Sequence, residues 1–286
     1  MTSPIVAKRS PVLRVATLQL TSVDDLQLSL DEIIELLATI APGSCDLACL
    51  PENALYMRVQ EGEKIPSFKS LDDEVFKSLA KWCRSRDCAL HIGSVALQVG
   101  ASVVNASVLV SPDGTVTSPY QKIHLFDVDV IGQKPIRESD AFAHGSSASV
   151  FSVLGWKIGS SICYDVRFAE LYLKYAQAEV DVILIPSAFL VTTGRAHWEV
   201  LLRARAIESQ AYVVAAAQGG IHKSVKNVAV SRGTYGHSMI VDPWGEVIQT
   251  CEDGPGHSKV LRADLRLERI DQVRAQIPMR SHRRLK

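Results

Sequence analysis

The hydrophobic positions of this chain switch repeatedly between the two-residue period of strands and the three-to-four-residue period of helices. Val12–Gln19 reads as a strand. A helix is predicted over residues 24–40, where Leu26, Leu30, Ile33, Ile34 and Leu37 share one face. Residues 47–50 form a short apolar strand stopped by Pro51. A second helix is predicted over 72–86 with Ser70 as its cap, and 89–95 returns as strand. Residues 103–110 and 115–120 flank Ser111-Pro112-Asp113-Gly114, where Pro presets φ and Gly permits positive φ, so the pair reads as a hairpin.

Residues 121–147 are polar and poorly periodic, and connections of that length are usually functional. This one carries Lys122 and Glu138. Strand signals at 156–162, 180–185 and 211–217 alternate with helical ones at 166–176 and 194–210. A second hairpin, 235–241 with 246–250, turns at Asp242-Pro243-Trp244-Gly245, and from Asp264 onward the pattern reads as a helix with a basic tail. Several strands are apolar without alternation, as strands covered on both faces are, while two hairpins argue against a purely parallel sheet. An α/β sandwich of two sheets between helical layers satisfies both. No linker or repeat interrupts the course. One domain over 1–286 is expected, with 1–10 a flexible N-terminus and 264–286 the terminal helix and tail.

Composition narrows the function. With 286 residues, 47% of them hydrophobic, a sizeable core is available; 31 basic against 31 acidic residues give no general attraction for nucleic acid or an anionic membrane. A small-molecule partner is expected. Arg14 interrupts the short apolar stretch near the N-terminus, and no window approaches the roughly 20 apolar residues of a membrane span. A soluble, cytoplasmic protein is expected. Cys45, Cys49, Cys83, Cys88, Cys163 and Cys251 form no C-x-x-C pair and join no His cluster, so no zinc site is expected and five of the six read as buried, reduced thiols.

Cys163 is the exception. It stands where a strand-like segment gives way to a helix-like one, a turn that would hold the thiol out of the sheet beside helix N–H groups that favour a thiolate and an oxyanion. The N–H of Tyr164 is the candidate oxyanion donor. Glu52 follows a strand end and a proline, and Lys122 follows the first hairpin. Singly they read as a loop acid, a solvated lysine and a core thiol. Jointly they supply base, cation and nucleophile for attack on a carbonyl.

The runs Cys49-Leu50-Pro51-Glu52-Asn53, Tyr120-Gln121-Lys122-Ile123-His124-Leu125-Phe126 and Cys163-Tyr164-Asp165-Val166-Arg167-Phe168, in that order, resemble the Glu-Lys-Cys signatures of the nitrilase superfamily of carbon-nitrogen hydrolases. The similarity extends over about 12–284. It implies a four-layer α-β-β-α sandwich, no metal or organic cofactor, a Glu52, Lys122 and Cys163 triad, Glu138 as a supporting second glutamate, and a homodimer or larger homo-oligomer. The helix over 168–176 and the segment after Asp264 are the candidate contacts. Residues 197–208, 215–218 and 235–245 resemble the Nit-branch amidases that act on deaminated glutathione more than the omega-amidases.

Ala169 and Arg195 stand where that branch has proline, and Gly219 where cysteine is common; the last two are expected near the pocket. Thr193, Arg195 and Arg205 are candidate donors to an anionic amide. Arg167 and Glu170 are expected to form a local ion pair. Omega-amides, N-carbamoyl compounds and nitriles remain alternative substrates. A non-catalytic binding or scaffolding protein is a further alternative, against which the retention of all three reactive residues weighs.

Overall fold

The computed structural model describes residues 9–60, 62–129, 135–251 and 258–284. Most of the expected flexible N-terminus, the last two residues of the tail and 130–134 of the long connection lie outside the described residues. In chain order the elements are β1 (Val12–Gln19), α1 (Leu26–Ala38), β2 (Leu47–Cys49), α2 (Glu74–Arg86), β3 (Ala89–Val99), β4 (Ser102–Val110), β5 (Val116–Gln121), β6 (Asp127–Val128), β7 (Ile136–Arg137), β8 (Val150–Val153) and β9 (Trp156–Ser160). They continue with α3 (Ala169–Gln177), β10 (Val182–Leu184), α4 (Val191–Ser209), β11 (Tyr212–Ala215), β12 (Gly219–Lys223), β13 (Ser231–Tyr235), β14 (Met239–Val241), β15 (Val247–Thr250), β16 (Lys259–Arg266), α5 (Leu267–Gln276) and α6 (Met279–His282).

Two six-stranded sheets result, ordered β16-β1-β2-β3-β4-β5 and β15-β14-β11-β10-β9-β8. Each has a parallel centre, β1-β2-β3 in one and β9-β10-β11 in the other, flanked by antiparallel strands. The period of two sorts side chains between layers. On β1, Leu13 and Val15 face the other sheet while Ala16 and Leu18 face α1 and α2; on β11, Tyr212 and Val214 face between the sheets and Val213 and Ala215 face α3 and α4. Both faces of both sheets are therefore covered. This is an α-β-β-α sandwich, and each large apolar side chain buried in it contributes about 1.5–3 kcal/mol.

Several boundaries differ from expectation for local reasons. The second helix is capped by Asp73, whose carboxylate accepts from Val75 N at 3.0 Å; Ser70 caps only the turn before it, accepting from Asp72 N. The second predicted hairpin begins at Met239, because Tyr235 ends β13, whose partner is β12. Residues 264–266 belong to β16, which pairs with the whole of β1, and the terminal helix starts at Leu267. The turn at 111–114 forms as expected, with Gly114 at φ +85°.

His91 and His222 are buried in this framework. His222 bonds the Ser22 carbonyl and Thr234 Oγ1, both at 2.7 Å, and burial lowers its pKa to about 4, as it lowers that of His91 to about 3. Both are neutral in the folded state and titrate near 6.5 when unfolded. Stability should thus be full above pH 6.5 and fall as the pH drops toward 4, because there only the unfolded chain takes up these protons. In urea unfolding at a series of pH values, His222→Gln should flatten this decline by on the order of 3 kcal/mol; an unchanged slope would remove His222 as its source.

Candidate active site

The site lies beyond the carboxyl ends of β2, β5, β9 and β10, where open α/β sheets place ligands. Glu52 follows β2, Lys122 follows β5 directly, Cys163 follows β9, and Ala188 follows β10. Two ties hold the sheets together here. Leu20 and Gln218 bridge them, and the Gln218 amide donates to the Glu52 carbonyl at 3.1 Å and to Ser22 Oγ at 2.9 Å. Gly93 allows a close approach: a Cβ there would sit 2.4 Å from the Leu50 and Pro51 carbonyls and from Pro186 Cβ.

Lys122 is 2% exposed, and its ammonium is held between two carboxylates, 2.8 Å from Glu52 Oε1 and 2.8 and 3.0 Å from the oxygens of Glu138. Burial opposes its charge. Glu138, Glu52 and Cys163 outweigh that and hold its pKa well above the usual lysine value. Glu138 is fixed in turn by Asn105 Nδ2 at 2.9 Å and Phe126 N at 2.7 Å, and the second Glu52 oxygen accepts from Ala188 N at 2.9 Å. The expected supporting glutamate is thus a direct partner of Lys122.

Cys163 is not an exposed elbow thiol. It is 8% exposed, at φ +47°, a region that non-glycine residues seldom occupy, that costs about 1–3 kcal/mol and that persists only where the surroundings impose it. Its N–H donates to Pro186 O at 2.8 Å. The helix expected to begin at Val166 starts at Ala169 instead, and a 3₁₀ turn over Cys163–Arg167 intervenes. The positive end of α3 is therefore not at the thiol. Burial and the Glu52 carboxylate push the thiol pKa well up, against the pull of Lys122 and the Ala188 N–H. The resting group is a neutral thiol with a carboxylate beside it. Tyr164 N–H lies in the first turn of the 3₁₀ segment, where such donors lack partners within the helix.

Two small cavities meet at Cys163, Ala188 and Phe126. One, about 60 Å³, is lined by Glu52, Lys122, Glu138, Arg58, Arg232 and Phe142 among others; the second, about 10 Å³, by Tyr164, Arg167, Phe189, Leu190 and Thr193. Thr193 is at the site as expected. Arg195 is exposed and lines neither cavity, and Arg205 is 6% exposed behind the site, donating to Val166 O and Glu208 and lying over the Tyr172 ring. Gly219 also lies away from the cavities, where a Cβ would come within 3.0 Å of Gly236 and Gln19. Arg167 does not pair with Glu170. It bonds His197 Nδ1 at 3.0 Å and lies over the Tyr164 and Phe189 rings, so it reaches the second cavity. The sequence reading missed Arg58, Arg232, Phe126 and Ala188; only Ala188 carried a local signal, the end of an apolar strand at Pro186.

The model of the carbon-nitrogen hydrolase family matches residues 14–275. The deaminated glutathione amidases of Mus musculus and Homo sapiens are each 39% identical to this chain over 94% of its length and over 83% and 82% of theirs. An omega-amidase of Xenopus tropicalis is 36% identical over 90% of this chain and 89% of its own. The crystal structure of the NitFhit protein of C. elegans superposes with a TM-score of 0.84 at 33% identity, covering 96% of this chain and 66% of that one. The chain belongs to the carbon-nitrogen hydrolase family. It is an enzyme of the amidase class, as the sequence resemblance implied.

Removing the cation from a buried cluster leaves its carboxylates uncompensated. Lys122→Met should lower stability by about 3–5 kcal/mol in denaturant unfolding. In the native enzyme, peptide mapping after brief iodoacetamide treatment should find Cys163 labelled before the other five cysteines; earlier labelling of another would contradict this.

Proposed function

We propose that the protein hydrolyses deaminated glutathione to 2-oxoglutarate and cysteinylglycine through an acyl thioester on Cys163. The observation that carries the reaction type is the Cys163 thiol beside the Glu52 carboxylate, with Lys122 bonded to that carboxylate and to Glu138. The 39% identical relatives support the substrate, and so do Arg58, Arg232 and Arg167, cations suited to a substrate with a carboxylate at each end.

A neutral thiol needs its proton removed as it attacks. Glu52 takes that proton while sulfur bonds to the amide carbon, and Lys122 and the Tyr164 N–H receive the developing oxyanion, each well-placed donor contributing about 3 kcal/mol. Glu52 then passes its proton to the amide nitrogen as the C–N bond breaks and cysteinylglycine leaves. Water enters, loses a proton to Glu52 and bonds to the thioester carbon. The C–S bond breaks, the proton returns to sulfur, and the acid is released. Glu138 holds Lys122 in place through both halves. The six free, buried cysteines suit a reducing, cytoplasmic setting, and a homo-oligomer contacting through α3 and the segment after Asp264 belongs to the same reading.

Cys163→Ala should abolish turnover with little loss of stability, since one buried sulfur is removed, and Glu52→Gln should lower kcat at least about a hundredfold. Intact-mass spectrometry of Glu52→Gln with substrate should show an adduct if acylation outruns deacylation, and turnover by Cys163→Ala would remove the thiol from the mechanism.

The substrate is tested by the ratio of kcat/KM for deaminated glutathione to that for 2-oxoglutaramate. It should exceed one, because the dipeptide adds contacts that can be expressed in the transition state. A ratio below one would make this an omega-amidase.

A further inference from the structure

Lys122 and Cys163 come from different sheets, and the bonds of the Lys122 ammonium run to Glu52 and Glu138. The separation of ammonium and thiol therefore depends on what ties the backbone around one to the backbone around the other. Asp165 makes that tie. Its carboxylate is fully buried and accepts four hydrogen bonds: His124 N at 2.9 Å and His124 Nδ1 at 2.7 Å on one oxygen, Tyr120 OH at 2.8 Å and Ile162 N at 2.9 Å on the other. Tyr120 and His124 flank Lys122 two residues before and two after, and Ile162 immediately precedes Cys163. The His124 ring stacks on Phe168 with centroids 3.6 Å apart, which fixes its Nδ1 toward the carboxylate.

We propose that Asp165 is a positioning residue for the hydrolysis: through Tyr120 and His124 it sets the Lys122 ammonium against Cys163 Sγ, and through Ile162 it holds the positive-φ turn that carries the thiol. The proposal rests on the roles assigned above to Lys122 and Cys163. Asp165, Tyr120 and His124 line neither cavity, so their effect is on the alignment of reacting groups and not on substrate contact. An ionised carboxylate suits the place because both of its oxygens face donors. Asparagine does not, since either orientation of its amide turns an N–H₂ toward N–H or O–H groups.

The test is steady-state kinetics of Asp165→Asn, Tyr120→Phe and His124→Gln with deaminated glutathione, on protein whose near-ultraviolet circular dichroism matches the wild type. Asp165→Asn should lower kcat on the order of a hundredfold, the cost of about an ångström of misalignment, with KM changed by less than about threefold. Tyr120→Phe removes one donor without stranding another, so it folds more readily; it should lower kcat about tenfold and slow the alkylation of Cys163 by iodoacetamide. Wild-type kcat in Tyr120→Phe and His124→Gln, or a loss in either that appears only in KM, would overturn the proposal even if Asp165→Asn fails to fold. Cys163→Ala in the same assays separates the two levels. If it still turns over, the underlying mechanism is wrong; if it is inert while Tyr120→Phe and His124→Gln both keep wild-type kcat, only the positioning role falls.

Discussion

The site depends on one buried cation shared by two buried carboxylates. An ammonium and two carboxylates removed from water are each costly, and the arrangement persists only because every oxygen and proton finds a partner at close range. Lys122 reaches both glutamates, Asn105 and Phe126 N–H complete Glu138, and Ala188 N–H completes Glu52. Burial first and the Glu52 carboxylate second raise the thiol pKa, against the pull of Lys122, and that same carboxylate can take the thiol's proton. In the proposed mechanism that makes proton transfer part of attack, in place of a standing thiolate.

The sandwich exists to bring those groups together from distant parts of the chain. Parallel strands at the centre of each sheet end at the same edge of the molecule, and the apolar layer between the sheets, with Leu13, Val15, Trp156 and Tyr212, fixes how those edges meet. Close approach then becomes a local requirement. Gly93 has no room for a Cβ where the Glu52 loop passes Pro186, and Gln218 is buried so that its amide can hold the Glu52 backbone. The strain at Cys163 is maintained by the hydrogen bond of its N–H to Pro186 and by the Asp165 network.

Periodicity alone located most elements, because apolar alternation and helical stripes are local consequences of which face is buried. It failed where locality fails. Strand β16 carries exposed and half-buried positions and is a strand because β1 needs a partner at the sheet edge, so residues 264–266 looked helical from their own neighbours. Hairpin β12–β13 went unrecognised because its strands are short and its loop long. Ser70 and Asp73 both resemble caps, and only the backbone decides which carboxylate or hydroxyl meets the first free N–H.

Glu52, Lys122, Glu138 and Cys163, which the fold brings together, were legible as candidates in the sequence because a nucleophile, a base and a cation restrict the residue type and because their runs resemble a known family. Arg195, Arg205 and Arg167 were not, since an arginine on a helix reads the same whether it points to solvent, to a buried carbonyl or into a cavity. The direction of the thiol's pKa shift was also beyond the sequence: a strand-to-helix turn suggested a helix dipole at Cys163, and the 3₁₀ turn moved that dipole away. The sequence by itself determined most of the strands and helices and the candidate reactive groups, which depend on local periodicity and side-chain chemistry, and the layering followed from the family resemblance. Only the tertiary structure decided which charges face one another, because electrostatic interaction depends on distances between residues far apart in the chain.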